Sequence, residues 1–182
     1  QGARAQVLHV EGALRGEQSH GDLVAAHLQG EDHRGQVVLD RRGPGEVEAG
    51  AVIPFVPGGT EVPQGLAHDA EHDEWLYTFY DARNPRDGLL VIADAKGKTT
   101  ARVELTGLDH YGGVTVLGDR TYVSGRGRLQ VHETARLREG IADPVLTVKV
   151  KASSTVTAHD GELWVTRFVV DGPGRTYRYV LD

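Results

Sequence analysis

Four short β-rich runs recur along the chain, beginning at Leu23, Trp75, Thr121 and Leu163, with spacings of 52, 46 and 42 residues. LVAAHL, WLYTFY, TYVS and LWVTRF each follow a tight acidic turn, respectively Gly21-Asp22, Asp73-Glu74, Gly118-Asp119-Arg120 and Asp160-Gly161-Glu162. Self-similarity at a period of roughly 40 to 50 residues marks an architecture in which one supersecondary unit is repeated and buries its apolar surface against its neighbours. Before three of these turns stands another short apolar run: QGLAHD from Gln64, GGVTVLGD from Gly112 and STVTAHDG from Ser154. After each comes a third, closing on an acidic residue: GQVVLD to Asp40, LLVIAD to Asp94, RLQVHE to Glu133 and TYRYVLD to Asp182. Fourth runs follow in three units as EVEAGAVIPF from Glu46, TTARVELTG from Thr99 and PVLTVKV from Pro144.

The pattern predicts an all-β fold of about four radially arranged, four-stranded antiparallel blades, a β-propeller or a fragment of a larger one. Apolar and β-branched residues alternate at a spacing of two in GGVTV, TYVS and VLTVKV, so each sheet has two faces for neighbouring blades. The approximate units are 12–56, 57–107, 108–151 and 152–182. The last lacks a fourth strand, and the run Ala5 to Glu11 (AQVLHVE) is long enough to supply it, pairing two exposed edges at once. A closed ring within this chain and a cut from a longer propeller both satisfy the pattern. Helical periodicity is scarce. The one helix candidate, Thr134 to Glu139, is six residues long and reads better as a loop turn.

Composition removes several functions. Cys is 0, which excludes a disulfide framework, a cysteine nucleophile and thiolate metal sites within this sequence. The net charge of -6 argues against nucleic acid and anionic lipid as partners. No apolar stretch reaches the roughly 20 residues of a membrane span. Met is 0, so the chain, which starts at Gln1, is expected to be a processed or trimmed product, with export as the processing step and a signal peptide already removed.

VPQGLAHD, LDHYGGVTVLGDRTYVS and HDGELWVTRF resemble the blade starts of bacterial NHL, YVTN and SMP-30-like β-propellers, especially secreted actinobacterial ones in which a PQG or HxGG step opens the innermost strand. The resemblance covers most of Val52 to Asp182 and, more loosely, Ser19 to Phe55. It implies a fold and not a reaction, because that superfamily includes lactonases, lyases and pure binding proteins.

In such propellers the first residues of each innermost strand face the mouth of the central channel. Here those are His20 with Gln18 and Ser19, then Gln64, then His110, then Ser153 and Ser154. A ring of one polar residue per blade suits a small-molecule or metal site, and it equally suits a water-filled funnel. Gly65, Gly112 and Gly113 are expected to serve tight curvature at the axis. Nine histidines invite a metal reading, with His110 and Gln64 as weak candidates, but no HExxH is present. The pairs His27 with His33 and His68 with His72 fall on turns or strands. The ligand-rich stretch His68, Asp69, Glu71, His72, Asp73, Glu74 reads as a solvated hairpin turn. Its first half mimics a calcium loop that lacks the Gly and distal Glu. SGRGRL and the Arg-rich turns DRRGPGE and ARNPRDG read as hairpins or exposed loops. Trp75, Tyr77, Phe79, Trp164 and Phe168 alternate within second strands and are expected to pack between blades.

No GxSxG elbow, metal signature or cofactor loop is present. The expected function is therefore a secreted, non-catalytic binding module for a protein or envelope ligand, with no cofactor. The alternative is a lyase or lactonase in which a divalent metal near His110 and Gln64 polarises a carbonyl in the central channel, with a histidine as base.

Overall fold

The computed structural model describes residues 7–8, 53 and 59–181. They form β1 (Val7–Leu8), β2 (Glu61–Asp69), β3 (Glu74–Asp81), β4 (Asn84–Asp94), β5 (Thr99–Leu105), β6 (Gly113–Leu117), β7 (Arg120–Gly125), β8 (Arg128–Glu133), α1 (Thr134–Arg138), β9 (Leu146–Lys149), β10 (Thr155–His159), β11 (Glu162–Arg167) and β12 (Arg175–Val180). The strands make three four-stranded antiparallel sheets, β2-β3-β4-β5, β6-β7-β8-β9 and β10-β11-β12-β1. Hairpins join successive strands. At Arg126-Gly127 (φ +47 and +72) and Asp160-Gly161 (φ +48 and +74), two central residues at positive φ match the right-handed twist of the flanking strands. The fourth strand of the last sheet comes from the amino-terminal run: Val7 stands opposite Tyr179 and Leu8 opposite Arg178.

The first strands of the three sheets pack side by side, β2 on β6 and β6 on β10, while later strands step outward from this seam. Antiparallel sheets set radially about their first strands are the blades of a β-propeller. The seam is so tight that the backbones touch. A Cβ at Gly113 would fall 2.5 Å from the Val156 nitrogen, and one at Gly65 would fall 2.9 Å from the Val114 nitrogen. Neither glycine has positive φ. Their smallness therefore serves close approach between blades, which replaces the expectation of tight curvature.

Both faces of β3 and β4 are apolar because each is covered. Leu76, Leu90 and Ile92 join Val103, Leu105, Leu108, Tyr111, Val114 and Val123 between the first two described blades. The alternate residues Tyr77, Phe79, Val91 and Ala93 form a second buried cluster on the opposite face. Tyr122, Leu129, Val131, Val156, Leu163 and Val165 fill the space between the second and third described blades.

The stretch expected to be a loop turn forms α1. Leu137 is fully buried in the first interblade core, and the Thr134 hydroxyl lies 2.9 Å from that of buried Thr121. These contacts, rather than an N-cap bond, hold the helix, since Glu133 makes no side-chain cap. The next residue, Arg138, crosses to the preceding blade. Its guanidinium donates to Asp69 Oδ2 and Glu74 Oε2, each at 2.6 Å. Asp69 is buried and also accepts the Glu71 backbone N–H at 3.1 Å. The acidic hairpin is thus an interblade ion-pair anchor and not merely a solvated turn. The calcium-like carboxylate Asp69 is already engaged by a guanidinium.

Candidate functional site

In an antiparallel meander, the connection leading into strand one and the hairpin between strands two and three emerge at the same end of the sheet. At that end the described blades surround a cavity of about 820 Å³. Gln64, His110, Ser153 and Ser154 all line it, so four of the seven residues expected at the channel mouth come together. The other three, Gln18, Ser19 and His20, lie outside the described residues, as do His27, His33 and nearly all of unit 12–56.

Each side chain is set by a different local device. The β2–β3 register slips between Pro63 and Gly65, so Gln64 is an extra residue on its strand and its side chain is re-aimed. Asp109-His110-Tyr111 is a distorted loop: His110 and Tyr111 have φ of +62 and +43, which cost side-chain-bearing residues of order 1 kcal/mol or more each. The surroundings compel it. Pro85 O accepts the His110 N–H at 2.9 Å and Tyr111 O accepts the Thr78 hydroxyl at 2.9 Å. The Tyr111 hydroxyl reaches Arg86 O at 2.7 Å and Leu105 O at 3.0 Å from beneath Gly88. Burial pushes the Tyr111 phenol up to about 12, so it stays a donor at all ordinary pH.

With Tyr111 buried as a peg, His110 is left at the surface. Its Nδ1 sits 2.6 Å from Asp109 Oδ1 and its ring lies 4.9 Å from that of Tyr80. Ser153 Oγ accepts the Gly127 N–H at 2.6 Å and Ser154 Oγ the Phe168 N–H at 2.8 Å, which leaves each hydroxyl proton able to donate.

The cavity also contains residues that the alignment of inner strands alone passed over: Asp109, Arg126, Thr166, Arg167 and Phe168. Arg126 stands on the β7–β8 turn and Arg167 at the end of β11. Tracing the second-to-third-strand hairpins to the same end would have found them. Phe168, expected between blades, is instead 74% exposed at the cavity wall, one residue beyond the end of β11 at Arg167. Trp75, Tyr77 and Phe79 do pack on one face. Among the described residues, no three His, Cys, Asp or Glu side chains converge as a metal would need, and Gln64 and His110 share the cavity with Asp109 as the nearest carboxylate. No helix of the described residues is long and apolar enough to cross a membrane.

No family model matches the chain, and no curated protein matches it. Solved structures similar to part of it include BamB from Moraxella catarrhalis (16% identity, TM-score 0.43, covering 59% of this chain and 31% of that one). A protein of unknown function from Bacteroides caccae matches at 11% identity and TM-score 0.47, over 62% of this chain and 40% of that one. The Dos1 propeller matches at 13% identity and TM-score 0.42, over 63% and 33%. This chain therefore aligns with less than half the length of each.

Proposed function

We propose that the chain is an exported binding module without catalysis, whose cavity at the His110 end receives part of a protein or envelope ligand. The observation that supports this reading is the convergence of Gln64, His110, Ser153 and Ser154 from three blades on one cavity. Their hydroxyls, amide and imidazole are hydrogen-bonding groups on a rigid frame, and loops carried on such frames are the usual seat of recognition. Neither serine is held by His110; both accept backbone N–H groups, an arrangement suited to positioning a ligand rather than to activating a nucleophile.

Occlusion tests it. Gln64 is exposed on a bulge, so Gln64→Trp fills space in the cavity without disturbing the core. Labelled full-length chain is incubated with intact cells and isolated envelopes of the producing organism. Retention of the native chain, lost in Gln64→Trp at unchanged circular dichroism, is the expected result; equal retention by both overturns the cavity as the binding site.

A further inference from the structure

The arginines of this molecule divide by end. Arg120 pairs with Glu133 at 2.9 Å, Arg136 with Asp143 at 3.6 Å and Arg138 with Asp69 at 2.6 Å, all at the end away from the cavity. At the cavity end, Arg83 is held by Asp81 at 2.8 Å, and its guanidinium brings that carboxyl down to about 2. Arg126 and Arg167, however, line the cavity with no carboxylate partner among the described residues. The one lining carboxylate among the described residues, Asp109, is 2.6 Å from His110 and is not within ion-pair distance of either guanidinium. Arg86, Arg128 and Arg175, near the starts of β4, β8 and β12, stand at the same end, as do Glu61, Asp87 and Asp171. Among the described residues the lining of the cavity thus carries two guanidinium groups to one carboxylate, in a chain of net charge -6.

From this we infer that the ligand carries an oxyanion, a carboxylate or a phosphate, clasped between Arg126 of one blade and Arg167 of the next. The inference rests on the cavity reading above and names the chemistry of its occupant. The physical reasons are three. A guanidinium offers a planar fork that matches two oxygens of a carboxylate or phosphate. Low-dielectric walls focus the field of unpaired cations into a concavity, raising the local concentration of anions. The Ser153 and Ser154 hydroxyls, their oxygens already accepting backbone N–H groups, have protons left to donate and no further need of donors. Arg126 is displayed by a two-residue turn that forces it to positive φ, a conformation a glycine would adopt more readily.

The test uses the full chain with two probes, citrate for carboxylates and inorganic phosphate, titrated calorimetrically at low salt. Binding of at least one probe is expected, weakened about tenfold or more by Arg126→Gln and by Arg167→Gln, since each removes a charged hydrogen-bond donor. Lys96→Gln, on the β4–β5 turn at the opposite end, should leave the affinity unchanged. The probe that binds identifies the oxyanion. Binding that survives both arginine substitutions, or that Lys96→Gln weakens as much, overturns the proposal, as does absence of binding by both anions. An uncharged polyol and amide panel run in parallel separates the two readings. Uncharged probes that bind the native chain and not Gln64→Trp, without anion binding, leave the cavity a binding site and remove the oxyanion; if no probe of either kind binds, the oxyanion falls and the retention assay alone decides the cavity.

Discussion

Arg138 Nη2 donates to Asp69 Oδ2 at 2.6 Å across 69 positions of sequence, joining a helix of one blade to the first hairpin of the blade before it. The same guanidinium holds Glu74 through Nε. Asp69 is buried, and besides Arg138 it accepts the Glu71 N–H and lies 3.1 Å from His72 Nδ1. Arg138→Met should therefore destabilise the protein by about 2 kcal/mol, through loss of the guanidinium bonds to Asp69 and Glu74. Adding Asp69→Asn should recover a good part of the loss. Denaturant unfolding of the two single variants and the double tests this, and strictly additive losses would show that the two groups act independently.

His132 on β8 is buried, and neither ring nitrogen has a hydrogen-bond partner. Burial pushes its imidazole down to about 4; the Ala142 backbone and the Asp143 carboxylate oppose this only in part. Because the folded value is depressed, the unfolded chain takes up the proton first as pH falls. The stability associated with the neutral ring is thus present above about 6.5 and is lost progressively toward about 4, by up to roughly 3 kcal/mol. His132→Leu should flatten that part of the acid profile. Urea midpoints at neutral pH and near pH 4.5 decide the matter, and an identical acid dependence in both proteins would remove His132 from the account.

Gly113→Ala should be far more costly than an ordinary strand glycine replacement, because its Cβ would meet the Val156 and Thr155 backbone and no rotamer can relieve that. A loss of about 3 kcal/mol is expected, against a smaller loss of about 1 kcal/mol at Gly118, where a Cβ meets nothing and only the φ of +59 opposes a side chain. Thermal melting of the two alanine variants supplies the comparison. A Gly113→Ala protein as stable as the parent would mean that β6 and β10 are not in backbone contact.

Tyr111→Phe should cost about 1 to 2 kcal/mol, since it leaves the Arg86 and Leu105 carbonyls without their phenol donor. It should also relax the loop that presents His110. A change in the His110 imidazole nuclear magnetic resonance shifts that accompanies the stability loss is the expected signature. Unaltered shifts would indicate that the loop is held by Thr78 and Pro85 alone.

Much of the molecule was written in local patterns. Apolar runs alternating at a spacing of two, set between Gly- and Asp-containing turns, specify hairpins because those turns close only with particular φ values and because a strand's faces are fixed by its period. Strands β2 to β12 follow directly, as does the convergence of Gln64, His110, Ser153 and Ser154, which occupy equivalent positions in successive units and are carried to one place by repetition. The sequence by itself determined the sheets, their order and the inner position of these residues. Only the tertiary structure decided what the blades do to one another. The short stretch after β8 becomes helical because Leu137 and Arg138 find partners on the preceding blade, and those partners are 64 and 69 positions away from Arg138. Arg126 and Arg167 reach the cavity because second-to-third-strand hairpins return to the end where first strands begin. Residues that meet only after folding have contact energies that no local propensity encodes, so the ion-pair anchor and the unpaired arginines emerge only when the blades stand side by side.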